Sequence, residues 1–103
     1  MNNTLPKITE NQHIRLEKIG FYTDPLNLYL PKDELPYLSM VINWLETKYS
    51  ILIITDMIGY EFTSYAKTET NQNIFWSGMK KTPVESKYQI VDKFLDHLEL
   101  MTP

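Results

Sequence analysis

The sequence predicts an α+β fold, a mostly antiparallel sheet of about five strands with two helices packed on it. Three observations carry this. Residues 33–49 and 82–101 repeat apolar side chains at intervals of three and four, the period of a helix that buries one stripe. Residues 50–79 gather β-forming apolar and aromatic residues into short runs. Half-polar runs joined by short connections favour antiparallel pairing. The expected element order is ββαβββα.

Residues 1–12 are polar and aperiodic, and read as a flexible N-terminal arm before a single domain over residues 13–103. From His13, Ile14 and Leu16 alternate with Arg15 and Glu17, which predicts a first strand. Its phase slips at Gly20, the place for a bulge. Thr23, Asp24 and Pro25 mark a turn. Leu26, Leu28 and Leu30 then alternate with Asn27 and Tyr29 as a second strand, ended by Pro31.

Asp33 is the expected cap of the first helix, with Glu34 and Pro36 in its first turn. Leu38, Val41, Ile42, Leu45 and Tyr49 form its stripe. Residues 50–55 read as a strand buried on both faces, hence central in the sheet. Asp56 and Gly59 suit a type I turn. Tyr60 and Phe62 open the next strand, residues 67–73 are a polar hairpin loop, and residues 74–80 return. Thr82 and Glu85 make a capping box with Pro83 at the first helical position. Val84, Tyr88, Val91, Leu95 and Leu98 continue as the stripe of the last helix.

The 103 residues are 43 % hydrophobic and 22 % charged, which places the chain among ordinary globular domains and not disordered tails. With no cysteine there is neither a disulfide framework nor a thiolate metal site, as suits a reducing cytoplasm. The first residues lack the basic and apolar regions of a signal peptide. The longest apolar run, residues 51–54, is far below the roughly 20 residues of a membrane helix.

Chemistry-bearing motifs are scarce. His13 and His97 have no metal-ligand spacing around them, although Asp96 and Glu99 lie close to His97 in sequence. Ser77 is outside any nucleophile elbow, and Gly20, Gly59 and Gly78 are too scattered for a phosphate loop. No catalytic residue, metal or cofactor is expected. Lys67, Lys80 and Lys81 beside Phe62, Tyr65 and Trp76 have the composition of a stacking platform, but a net charge of −3 argues against a nucleic-acid partner.

Recognition is the remaining class. Thirteen aromatics exceed what a core this size needs, and Tyr22, Tyr29, Tyr65 and Phe75 or Trp76 fall off the core phase. Glu46, Asp56, Glu61 and Glu69 are candidates for one acidic surface. The expectation is a small protein-binding inhibitor of the bacterial toxin-immunity kind, covering a toxin such as a basic nuclease through Asp56, Glu61, Tyr65, Glu69 and Trp76. The alternative is a regulatory or structural module, or a subunit of a larger complex, that senses a small ligand. Self-association through an edge strand also fits the pattern.

Overall fold

The computed structural model describes residues 5–31, 33–70 and 72–101. The first four residues of the expected arm, Asn71 of the expected loop and the last two residues lie outside them. The architecture is α+β, but with three helices and a three-stranded antiparallel sheet. The expected five strands and order ββαβββα are therefore corrected. In chain order the elements are α1 (Glu10–Lys18), a 3₁₀ turn (Pro25–Asn27), α2 (Leu38–Tyr49), β1 (Ile51–Ile58), β2 (Glu61–Thr68), β3 (Asn73–Trp76) and α3 (Pro83–Met101).

The first predicted strand is α1. Thr9 and Gln12 form a reciprocal capping box that starts the helix inside the stretch read as an arm. Ile8, Gln12 and Leu16 fall at intervals of four and are all buried, while Ile14 points outward. A glutamine at the middle of that stripe hid the helical period. Its burial is compensated, because Nε2 donates to the Tyr88 carbonyl (3.1 Å) and to Asp92 (2.9 Å) on α3. Arg15 adds a clamp from α1 to α3, meeting Asp96 at 2.5 Å and Glu99 at 2.6 Å.

The second predicted strand is a loop around the 3₁₀ turn. Asp24 caps that turn by accepting from the Leu26 N–H (2.9 Å). Leu26 and Leu28 face solvent, and the buried residue is Asn27, whose Nδ2 donates to the Phe21 carbonyl. Of the three alternating leucines only Leu30 packs against the core, so the alternation marks no continuous core face.

Helix α2 begins at Leu38, four residues past the expected start, with Tyr37 as a cap that makes no side-chain bond. Pro36 is the reason: it disfavours helical φ/ψ at the residue before it. Instead the chain there is extended and pairs with residues 6–8, through Ile8 N–H to Pro36 O and Leu38 N–H to Pro6 O. The helix ends at Ser50, in left-handed conformation (φ 53°), whose N–H reaches the Glu46 carbonyl.

The sheet order is β1-β2-β3, so residues 50–55 belong to an edge strand and not the centre. Nor does Asp56 start a turn. It lies within β1, paired with Thr63, and the hairpin turns through Gly59 and Tyr60 alone. Gly59 takes φ 64°, which its lack of a Cβ permits. β2 is central and carries Ser64 and Ala66, both fully buried under α3. Hydroxyls replace bulk at this contact. Thr55, Ser64 and Ser86 are linked at 2.7 and 2.8 Å, and Ser86 donates to the Pro83 carbonyl at 2.8 Å. α3 starts at the predicted place, where Thr82 Oγ1 accepts from the Glu85 N–H (3.1 Å).

The core lies between the helices and one face of the sheet. It joins Leu16, Phe21, Leu38, Val41, Trp44 and Leu45 to Ile51, Ala66, Val91, Phe94 and Leu95.

Candidate functional site

The helices pack on the sheet face that carries Ile51, Ile53, Ser64, Ala66 and Phe75. The opposite face alternates with it. There the register lines up Ile54, Tyr65 and Trp76 in one row across all three strands. Toward the hairpin follow the rows Asp56–Thr63 and Ile58–Glu61, and toward the far end Leu52–Lys67. The helices of the core pack on the other face, but Thr63 in the middle of this one is only 3 % exposed, so the face is open toward its ends and at Trp76. Leu52, Ile58 and Trp76 are 55 %, 57 % and 59 % exposed.

Polar contacts organise the centre of the face. The Tyr65 hydroxyl donates to Asp56 Oδ2 at 2.9 Å, and the Lys67 ammonium lies 5.6 Å from the Tyr65 ring centre. The bond to Asp56 raises the phenol pKa, because the carboxylate holds the proton on the hydroxyl. Tyr65 is thereby held between a carboxylate and a cation. Beside it, the buried Thr63 Oγ1 has no hydrogen-bond partner.

Of the residues predicted from sequence, Asp56, Glu61, Tyr65 and Trp76 share this face. Glu69 lies just past β2 at the other end from Glu61, roughly 26 Å away at about 3.3 Å per residue. Glu46 is on α2, where its carboxylate accepts from the Ile53 N–H (2.9 Å). The four acids therefore do not form one surface, although Asp56 and Glu61 are neighbours. Leu52, Ile54 and Ile58 went unnoticed as surface residues because an apolar run suggests burial on both faces. The two-residue hairpin beginning at Gly59 was the available signal that this strand opens a meander and has a free side.

The histidines are set apart. His13 is hydrogen-bonded to the Tyr22 hydroxyl, and His97 packs its ring 5.0 Å from Phe75. Between them runs a ladder of six rings: Tyr22, Phe21, Trp44, Tyr49, Phe94 and Phe75. Asp96 and Glu99, close to His97 in sequence, are engaged by Arg15. Among the described residues no group of three His, Asp or Glu is placed to hold a metal ion. No described helix is long and apolar enough to cross a membrane.

A groove of about 660 Å³ opens beside the core. Ile19, Tyr49, Ile51, Phe75, Phe94 and Met101 line it, with Lys18 and His97 also on its wall. Burial raises the Tyr49 phenol pKa, and Lys48 offsets this only in part.

No protein-family model matches the chain, and neither a curated protein nor a solved structure matches it.

Proposed function

We propose that this protein is a protein-binding inhibitor of the toxin-immunity kind, which docks the uncovered face of its sheet on a basic partner surface. The observation behind this reading is the row Ile54–Tyr65–Trp76 with Asp56 and Glu61 beside it. Large aromatic side chains at the centre of a contact supply most of its energy. The hydrogen bond to Asp56 and the Lys67 cation fix the Tyr65 ring beforehand, which lowers the entropy lost on docking. Asp56 and Glu61, both exposed at the hairpin end, steer a cationic partner during encounter. Inhibition then follows from steric cover of the partner's working surface, with no bond made or broken by this chain.

Capture from a lysate of the native host, followed by calorimetry, tests the reading. The expected result is one basic protein held by the wild type and lost with Trp76→Ala, while circular dichroism shows the variant folded. Asp56→Asn weakens binding chiefly at low salt. Co-expression of the captured protein arrests growth, and the wild type but not Trp76→Ala relieves the arrest. Capture indifferent to Trp76, or no capture at all, rejects the proposal.

The groove supports a second reading, a module that senses a small ligand. Its volume falls within the range usual for ligand pockets, and its wall is predominantly apolar. An anionic naphthalene dye then fluoresces on binding and loses that signal with Met101→Asp, a change at an exposed side chain of the groove wall. A dark dye, or one bright with both proteins, removes the idea.

A further inference from the structure

We propose that the free edge of β1 is a strand-addition site for a second copy of this chain, which pairs antiparallel about Thr55. The register fixes which backbone groups are offered. Gly59 and Tyr60 form a two-residue turn, so Ile58 and Glu61 are a hydrogen-bonded pair. Counting back by two, Ile54 and Asp56 also turn their backbone toward β2. Ile53, Thr55 and Met57 turn theirs outward. The bond from the Ile53 N–H to Glu46 agrees, since it can form only on the outer side. Among the described residues, nothing is bonded to the Thr55 or Met57 N–H on that side.

Natural edge strands are usually blunted by proline, lysine, a bulge or shortness. β1 runs eight residues without any of these, Asp56 is its one charge, and the Glu46 carboxylate covers its edge at Ile53 alone. Apolar side chains flank the open backbone, with Met57 66 % exposed in addition to Leu52 and Ile58.

The strand complements itself. A two-fold axis through Thr55 sets Leu52 opposite Ile58 of the second copy, Ile53 opposite Met57, and Ile54 opposite Asp56. The three exposed apolar residues each meet an apolar partner, and the two Asp56 carboxylates are not opposed. A shift of the axis to Asp56 would oppose them directly, which is unfavourable. Thr55 N–H to Thr55 carbonyl and Met57 N–H to Ile53 carbonyl, each made twice, join the copies, and the Glu46 carboxylate must swing off the Ile53 N–H, where the Met57 carbonyl of the second copy takes its place. The product is a continuous six-stranded sheet. This inference is separable from the inhibitor reading through Met57, which is off the docking face, while Leu52 and Ile58 belong to both.

Sedimentation equilibrium of the full chain from micromolar to millimolar concentration is the test. The wild type is expected to dimerise. Met57→Lys, a substitution at an exposed side chain, is expected to weaken the dimer roughly tenfold or more while the far-ultraviolet spectrum is unchanged. Leu52→Lys alone and Ile58→Glu alone each weaken it, and the two together in one chain restore it, since the changed residues face each other across the axis. A wild type that is monomeric throughout overturns the proposal, as does a dimer indifferent to Met57→Lys or one that the paired change does not restore.

Discussion

Trp44 and Asp24 show how single side chains tie the loop before α2 to that helix. The Trp44 ring stands edge-on to Phe21 at 4.9 Å, and its indole N–H donates to Asp24 Oδ2 at 3.1 Å. Trp44 is 4 % exposed, so Trp44→Ala removes a buried ring and leaves a cavity. The expected cost is about 3–5 kcal/mol, read from urea unfolding. The Asp24 carboxylate is held below its usual pKa, first by the Leu26 N–H and then by the Trp44 indole; burial opposes them, and Lys48 adds a lesser lowering. A depressed folded-state value means that the contribution is present above the ordinary carboxylate range. It is lost as pH falls through the folded-state pKa. Asp24→Asn is therefore expected to flatten the acid limb of the unfolding midpoint against pH, leaving any residual slope to other carboxylates.

At the scale of elements a cap beside an apolar stripe placed α3 correctly, whereas the Asp33 cap expected for α2 did not hold, that helix starting at Leu38. α3 has Thr82, Pro83 and a regular run from Ile90 to Leu98, and it starts at its predicted place. Thr82→Ala is expected to cost about 0.5–2 kcal/mol, seen as a lower melting temperature, because the Glu85 N–H loses its acceptor. The same kind of cap, Thr9 with Gln12, went unread at α1, since the glutamine serves both the cap and the core stripe. Its amide is buried only because α3 supplies two acceptors from some eighty positions later in the chain. The two alternating stretches before α2 failed for a related reason. Alternation says that side chains differ in polarity, and it does not say which of them meets a neighbour.

Across the whole molecule, asymmetry of cover is the feature with functional weight. The helices pack on one side of the sheet or on one another, and the other side is left open at Leu52, Ile58 and Trp76. The two tryptophans therefore have different duties. Trp76→Ala removes a half-open ring paired across the sheet with Tyr65, and is expected to cost under about 1 kcal/mol in urea unfolding. That contrast with Trp44 separates a surface side chain from a core side chain within one protein. A Trp76 variant as damaged as the Trp44 variant would mean that the face is covered in solution. The candidate acids divide along the same geometry. Asp56 and Glu61 stay on the open face, Glu46 turns to the β1 edge, and Asp96 and Glu99 hold Arg15 between helices.

By itself the sequence determined the α+β class, the β1–β2–β3 region, and α3 with its cap. These rest on period, cap chemistry and residue type, which act over a few neighbouring positions. Tertiary structure alone decided that residues 10–18 are helical, that β1 is an edge, and that Asp56, Tyr65 and Trp76 share an open face. Those outcomes depend on which surfaces meet after the chain has folded back on itself. A glutamine is tolerated in a core, and an isoleucine on a surface, according to the partner that arrives or fails to arrive from a distant part of the chain.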